Sequence, residues 1–141
     1  MEVRFVIPGP PQGKARARTV HNRRTGYTQS FTPAQTVLYE NLIKTMYWEN
    51  SRQIWNNEEA LKVSISAVYE PPKSTSKRNR ERMLNGQIWP TKKPDADNIA
   101  KVVLDALNGV AYKDDTQVVH LDVIKMYGES AYVEVTIRPY S

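Results

Sequence analysis

An amphipathic segment in the second half of the chain constrains the fold most strongly. From Asn98 to about Leu107, apolar residues recur with the period of an α-helix that packs on a core, and Gly109 follows where such a helix ends. The predicted buried face consists of Ile99, Val102, Val103, Ala106 and Leu107. Because one helix cannot bury an apolar face by itself, the rest of the chain must supply a surface on which it packs.

A mixed β-sheet is the surface that the remaining pattern predicts. Alternating apolar and polar residues predict strands over residues 3–7, 61–69, 118–126 and 131–137. We expect the last two to pair as an antiparallel hairpin around Gly128. A turn over 24–27 leads into a short return strand that ends at Phe31. A chain of 141 residues has the usual length of one domain, so we expect a single α/β (α+β) domain over residues 1–141, with helices packed on the sheet.

Two more helices complete the expected fold. The first begins with Thr32 as N-cap, Pro33 at the first helical position and Gln35 completing a capping box, and it runs to about Trp48 or Glu49. Its apolar stripe is predicted at Val37, Leu38, Leu42 and Met46, with Tyr39, Ile43 and Tyr47 beside them. The second is a short exposed helix within 74–85, which Gly86 would end.

Composition excludes several classes of site. The chain has no cysteine, so neither a disulfide nor a thiolate metal site is available, and its 2 histidines make oxygen the favoured metal ligand. The first residues are too mixed for a secretory signal, and no apolar run approaches the ~20 residues of a membrane span. We therefore expect a soluble, cytoplasmic protein with no membrane partner and no small-molecule cofactor.

The charges are distributed unevenly along the chain. Residues 1–93 carry 16 Lys and Arg against 7 Glu, whereas residues 94–141 carry 4 against 8 acidic residues, within a net charge of +5. Every aspartate lies between Asp95 and Asp122. A basic chain that concentrates its short carboxylates in one stretch is typical of a polyanion binder with a metal site, because hard divalent cations need converging carboxylate oxygens.

Two short acidic motifs carry the candidate chemistry. Asp95 and Asp97 directly precede the amphipathic helix, and Lys101 lies one turn into it on the same side as Asp97. The turn over 112–116 is expected to bring Asp115 back beside the first pair. Carboxylates held together repel one another, and Mg²⁺ would relieve that repulsion, activate a water and neutralise charge on a phosphate.

The same residues also admit a purely structural interpretation. Asp97 can be a plain N-cap, Asp114 and Asp115 can form a plain turn, and Lys101 can be a salt-bridge partner on the helix. We expect Asp105, four residues after Lys101, to pair with it there. Spacing by itself leaves the catalytic and the structural interpretation open.

The segments Lys93–Lys101, Leu104–Gly109 and Asp114–Val119 together resemble the RusA family of Holliday junction resolvases. The pattern combines two aspartates separated by one residue, an asparagine and then a lysine in the helix, and a later Asp-Asp-x-Gln-Val. The resemblance is close from Pro94 to about Tyr127, and it extends to Pro8–Pro11 and the Lys14–Arg16 segment. Members of the family commonly come from phages and prophages.

The resemblance implies a small homodimer that binds four-way DNA junctions and introduces paired nicks in opposed strands, using magnesium. It implies that Asp95, Asp97 and Asp115 are the metal-binding catalytic acids, that Lys101 is the essential lysine, and that Asp114 matches the neighbouring family acid. It implies no role for the charged stretch from Lys73 to Arg82, which is longer than in the shorter members of the family.

Basic residues near the acids are the candidates for DNA contacts. They are Lys14, Arg16, Arg18, Lys77, Arg78, Arg80, Arg82, Lys92 and Lys93. Such residues contact phosphates without reading sequence, and the affinity falls steeply with salt. A solvated surface explains each one singly, whereas the groups together favour DNA. Tyr112 and Trp89 are expected to pack in the core, with stacking on unpaired bases as the alternative.

The sequence therefore predicts a structure-selective, Mg²⁺-dependent endodeoxyribonuclease that resolves Holliday junctions in DNA recombination and repair. A nuclease for other branched DNA, such as flaps and forks, is the nearest alternative. A non-catalytic nucleic-acid-binding phage protein, in which the acids only cap and turn, is the alternative from another class.

Overall fold

The strands that the structure describes form two sheets of different size. The computed structural model describes residues 1–15, 18–31, 33–56 and 58–141, with only the backbone of Arg18, Ser30 and Phe31. The strands in this part of the chain are β1 (Val3–Pro8), β2 (Arg18–Asn22), β3 (Tyr27–Phe31), β4 (Leu61–Tyr69), β5 (Val118–Tyr127) and β6 (Tyr132–Pro139). Its α-helices are α1 (Ala34–Asn50), α2 (Lys77–Leu84) and α3 (Ala96–Leu107), and a 3-10 turn spans Asp115–Gln117.

The larger sheet is mixed, as predicted, and has the strand order β1-β6-β4-β5. Strand β6 runs antiparallel to both β1 and β4, while β5 runs parallel to β4. Strands β1, β4 and β5 therefore share one direction, and their carboxyl ends meet at one side of the sheet, which we call the carboxyl edge. Strands β2 and β3 form a separate antiparallel hairpin.

The prediction that β5 and β6 pair with each other is wrong, because β4 lies between them. The connection 128–131 crosses the end of β4 instead of closing a hairpin. The Gly128 N–H donates to the Tyr69 carbonyl at 2.9 Å. A Cβ on Gly128 would lie 2.5 Å from Cγ1 of Val68, so the glycine marks a close approach of two segments. A local turn signal cannot reveal a partner strand from a distant part of the chain.

Helices α1 and α3 cover the apolar face of the larger sheet. Helix α1 packs against β1 and α3, and α3 packs against β5. The predicted buried face of α3 is confirmed, and the inward residues of β4 are buried in the same cluster. Gly109 follows α3 with a φ of +79°, a left-handed conformation that glycine adopts without strain. The sheet and α1 thus hold α3 along its apolar side.

Helix α1 buries a different stripe from the predicted one. Its buried residues are Thr36, Tyr39, Ile43 and Tyr47. By contrast, Val37 is 41% exposed and Leu38 is 70% exposed, while Leu42 and Met46 are partly buried. The tyrosine rings bury more apolar area than the aliphatic side chains, and this difference decides which side of the helix faces the core.

The ends of the helices follow the sequence signals only in part. Pro33 is the N-cap of α1 rather than its first residue, and the predicted cap Thr32 lies outside the described residues. The predicted exposed helix is confirmed as α2, where Ser76 Oγ accepts a hydrogen bond from the Asn79 N–H at 3.2 Å. Gly86 follows α2 with a φ of +78°. Within the described residues, no helix is long and apolar enough to span a bilayer.

Candidate functional site

The start of α3 presents two aspartates whose side chains are not engaged. Asp95 is the N-cap residue, but its carboxylate makes no capping hydrogen bond, and Asp97 follows in the first turn. Both are exposed, as is Lys101 one turn further on, and none of the three forms an ion pair with a described residue. These side chains therefore form neither the plain N-cap nor the plain helix salt bridge of the structural interpretation. The three side chains remain available to a ligand.

The backbone before and within the first turn of α3 is held from two sides. The Lys14 N–H donates to the Asn98 carbonyl at 3.1 Å. A Cβ on Gly13 would lie 2.9 Å from Cβ of Asn98 and 3.0 Å from Cβ of Pro94, so only glycine fits this approach. From the other side, the Tyr69 hydroxyl donates to the Pro94 carbonyl at 3.3 Å. The aspartate pair therefore lies at the carboxyl edge of the sheet.

The second acidic motif lies beyond the other end of α3. Asp114 caps the 3-10 turn in a capping box with Gln117 and accepts a hydrogen bond from the Thr116 hydroxyl at 2.7 Å. The bond from Thr116 is the main reason why the pKa of Asp114 lies below its ordinary value. Burial, followed by the charges of Asp114 and Asp105, raises the pKa of Asp115. Burial and these neighbouring charges thus disfavour the ionised form of Asp115, and a bound cation would oppose that effect.

One protomer does not bring the two acidic motifs together. Asp115 precedes the amino end of β5, whereas Asp95 lies at the carboxyl edge, and the 12 residues of α3 between them span about 18 Å. Among the residues that the structure describes, no three Asp, Glu or His side chains are grouped closely enough to hold a metal ion. The expectation that the turn returns Asp115 to the side of Asp95 and Asp97 is not met within one chain.

Lys14, a predicted DNA contact, instead joins three segments of the protein. Its ammonium lies 3.0 Å from a carboxylate oxygen of Glu40 and 3.3 Å from one of Asp105. Burial lowers the pKa of Lys14, but its hydrogen bonds to these two carboxylates and their charges outweigh that effect, so the pKa is raised. The predicted pair between Asp105 and Lys101 is wrong, because Asp105 binds Lys14.

Exposed cations without an acidic partner among the described residues lie on α2 and just before the start of α3. Helix α2 exposes Lys77, Arg78, Arg80 and Arg82, and Lys92 and Lys93 are exposed just before the aspartates. None of these six makes an ion pair with another described residue. Arg16 and the side chain of Arg18 lie outside the described part of the chain. The cations of α2 and of the loop before α3 form a surface that favours an anionic partner.

Sequence reasoning missed a cluster at the carboxyl edge, which we call the Tyr69 cluster: Tyr69, Lys92, Lys125 and Tyr127. The Lys92 ammonium lies 5.5 Å from the ring centroid of Tyr69 and 6.0 Å from that of Tyr127, and the Lys125 ammonium lies 5.5 Å from that of Tyr69. Lys125 also donates to the Lys92 carbonyl. Tyr69 and Tyr127 are register partners at the ends of the parallel strands β4 and β5. The sequence could have indicated this cluster only if that strand pairing had been predicted.

The two aromatic residues near the acids differ in environment. Tyr112 is buried, as predicted, and donates to the Leu104 carbonyl at 2.7 Å. Trp89 is 51% exposed, so the prediction that it packs in the core is wrong. It borders an apolar groove with Met83 and Met126, between α2 and the end of β5.

Comparison with known proteins identifies the family of the chain. The family model described as Endodeoxyribonuclease RusA matches residues 8–138. A protein of Bacillus subtilis (strain 168) named "Uncharacterized protein YqaN" is 34% identical over 140 residues, which are 99% of this chain and 97% of that relative. The family match includes both acidic motifs, helix α2 and the Tyr69 cluster. The chain therefore belongs to the RusA family of endodeoxyribonucleases.

Proposed function

We propose that the protein resolves Holliday junctions during DNA recombination and repair, by introducing paired nicks in two opposed strands of a four-way junction. The observation that carries this proposal is the unengaged aspartate pair at the start of α3, beside unpaired cations, in a chain of an endodeoxyribonuclease family. A nuclease needs carboxylates that are free to bind a cation, and it needs cations that bind phosphate.

Magnesium is the metal ion that suits these acids. Mg²⁺ is held by a few carboxylates and keeps several waters, and when bound it lowers the pKa of a water and neutralises charge on a phosphate. We assign Asp95, Asp97 and Asp115 as its protein ligands, with Asp114 beside them. Within one protomer these residues do not fit one ion, because the two motifs lie at opposite ends of α3.

A homodimer would bring together the two acidic motifs that one protomer keeps apart. Strand β5 is an edge strand of 10 residues, and its outer side pairs with no other described strand. It exposes apolar side chains, since Val119 is 57%, Leu121 is 40% and Ile124 is 41% exposed. A long edge strand with apolar side chains favours pairing with another strand. The partner that a twofold axis supplies is β5 of a second copy.

Antiparallel pairing of the two β5 strands would complete the acidic site twice. Because α3 packs on β5, the two α3 helices would lie side by side and run in opposite directions. Asp95 and Asp97 of one copy would then lie next to Asp115 of the other. Two identical sites would face two opposed DNA strands, which is what paired nicking requires.

The remaining site residues act on the phosphate. Lys101 is exposed on α3, one turn from Asp97 and one turn from Asp105, where its ammonium would stabilise charge that develops on the scissile phosphate. The exposed cations of α2 and the loop before α3, Lys77, Arg78, Arg80, Lys92 and Lys93, would bind the DNA backbone. Arg16, which follows β1 in the chain, and Arg18, the first residue of β2, are candidates of the same kind.

The direct test is a nicking assay with purified protein on a synthetic four-way junction, a flap, a fork and a linear duplex, each with and without Mg²⁺. We expect paired nicks in opposed strands of the four-way junction, and only with the metal. Faster cutting of flaps or forks would favour a nuclease for other branched DNA. Tight, salt-sensitive binding without cleavage of any branched DNA would favour a non-catalytic DNA-binding protein.

A further inference from the structure

A recess of about 320 Å³ opens at the carboxyl edge, beside the residues that lead to Asp95. Pro11, Tyr69, Pro71 and Ala131 form its apolar wall, and Lys73 and Lys92 line it as well. We propose that this recess binds one unstacked nucleotide of branched DNA, with the base and sugar against the apolar wall and a phosphate on Lys92. The proposal rests on the nuclease function proposed above and adds the structural feature by which branched DNA would be selected.

Three loops that meet at the carboxyl edge line the recess, together with Tyr69 at the end of β4 and Lys92 from the loop before α3. These loops follow β1, β4 and β5, the three strands that share one direction. In open α/β sheets, ligands bind outside the carboxyl ends of parallel strands, and β4 and β5 are such a pair. The Gly9 N–H donates to the Ala131 carbonyl at 3.2 Å, which ties the first and third loops together. Proline rings fix much of the wall, so the recess is formed before any ligand arrives.

The chemistry of the wall suits a flat apolar ring. Proline has no N–H to offer, and the hydroxyl of Tyr69 is already engaged with the Pro94 carbonyl. A wall with so few hydrogen-bonding groups cannot distinguish one base from another, but it can pack against the face of any base. The recess therefore favours a nucleobase without sequence preference.

The charges around the recess suit a phosphate. Lys73 and Lys92 line it, against the single acid Glu70. The ammonium groups of Lys92 and Lys125 both contact the ring of Tyr69. Neither lysine makes an ion pair with a described residue. Two ammonium groups on one ring repel each other, and an anion beside them relieves that repulsion. A ligand with an anionic group and a flat ring is a nucleotide.

The position of the recess connects it to the acids. Tyr69 forms part of its wall and also donates to the carbonyl of Pro94, the residue before Asp95. A nucleotide in the recess would place the neighbouring phosphate at the aspartate pair. Nucleotides in a paired duplex are stacked and cannot enter, whereas those at a branch point are easily unstacked. Entry into the recess would therefore select branched DNA over linear duplex.

Fluorescence of 2-aminopurine at the branch point of a four-way junction tests the proposal, with EDTA present so that no strand is cut. Unstacking increases this fluorescence, and we expect an increase when the wild-type protein binds. Ala131→Leu, which fills the recess, should abolish the increase. It should also lower the preference for junction over linear duplex by about tenfold, as expected when one base contact is lost.

Lys92→Met tests the phosphate contact independently, because its side chain is exposed and its removal leaves no buried partner. We expect the slope of log K against log salt concentration for junction binding to fall by about 1. Lys92→Arg should retain the wild-type slope. Lys44→Met, on α1 and away from the recess, makes the same change of charge and should leave both the slope and the fluorescence unchanged.

The outcomes separate this proposal from the nuclease function. If the wild type binds and nicks junctions, while folded Ala131→Leu keeps the fluorescence increase and the junction preference, the recess is not a nucleotide site. If Ala131→Leu does not fold, Lys92→Met decides: an unchanged salt dependence of junction binding in that variant would also show that the recess is not a nucleotide site. If the wild type neither binds nor nicks any branched DNA, the proposed function fails and the recess proposal fails with it.

Discussion

The ammonium nitrogen of Lys14 lies 3.3 Å from a carboxylate oxygen of Asp105, so the loop after β1 is tied to the helix that separates the two acidic motifs. The same ammonium lies 3.0 Å from Glu40 on α1. One cation thereby neutralises two partly buried carboxylates and joins a loop to two helices. This contact predicts a change in stability.

Lys14→Met should destabilise the folded protein, because it leaves the carboxylates of Glu40 and Asp105 without a counter-charge. We expect a loss of about 1–2 kcal/mol at neutral pH, or a decrease in Tm of about 3–7 °C. The pKa of Lys14 is raised in the folded state, so its contribution is complete below the ordinary value of 10.5 and is lost as the pH rises through the raised pKa. Melting curves should show a constant difference from about pH 6 to about pH 9 that shrinks above about pH 10.5. An equal decrease in the control Lys44→Met would contradict this assignment.

Asp95→Asn should abolish nicking and leave junction binding intact. The amide has the size of the carboxylate but not its charge, and the side chain makes no capping bond that the change would break. We expect the nicking rate in Mg²⁺ to fall by roughly a thousandfold or more, with little change in Tm. Initial nicking rates and gel-shift titrations on the same four-way junction measure the two properties. Full cleavage by the variant would refute the assignment of Asp95.

Mixing two inactive variants tests whether the site is shared between protomers. In a heterodimer of Asp95→Asn and Asp115→Asn, a site built across the dimer leaves one of the two sites fully wild type. We therefore expect nicking of one strand to return when the two variants are refolded together. If each site belongs to a single chain, every site in the mixture carries a substitution and the activity stays absent.

Lys101→Ala should cut slowly and fold normally. The lysine is exposed and makes no ion pair with a described residue, so its removal should leave the melting curve unchanged. Removing a group that stabilises transition-state charge should lower the nicking rate by about 10²–10³-fold. Lys101→Arg should restore part of the rate. A decrease in Tm that matches the decrease in rate would indicate a structural role instead.

Gly128→Ala should destabilise the sheet, because the added Cβ would meet Cγ1 of Val68 at 2.5 Å. We expect a loss of about 1–3 kcal/mol, the usual cost of overpacking. Combining it with Val68→Ala removes the methyl group that obstructs the Cβ. The double variant should therefore be more stable than the sum of the two single changes predicts. Additive losses in chemical denaturation would show that the clash is relieved in another way.

The parts of the fold that local patterns determine were predictable from the sequence. Helix α3 has one apolar side and lies between an aspartate and a glycine, and apolar and polar residues alternate along β4. Each pattern is therefore compatible with only one type of secondary structure and one buried side. Helix α1 has apolar residues on several sides, and the pattern alone did not show that the stripe with Tyr39 and Tyr47 faces the core. The pairing of β6 with β4 depends on strands far apart in the chain, and no local signal carries it.

The candidate site was likewise predictable only where its residues are close together in the sequence. The motif residues Asp95, Asp97 and Lys101 lie together at the start of α3 because their spacing is local. The position of Asp115 depends on the direction of α3 relative to β5, and on whether a second copy is present, so spacing could not determine it. The Tyr69 cluster depends on the parallel register of β4 and β5, which only the folded chain displays.

Strand β6 lies in the interior of the sheet, between β1 and β4, although it follows both in the chain. Strands β1 and β4 do not pair with each other, so a nascent chain without residues 132–139 has no strand that joins them. A nascent chain that has already exposed both acidic motifs still lacks the scaffold that orients them. We therefore expect the acidic motifs to be held in place only when β6 has joined the two halves of the sheet.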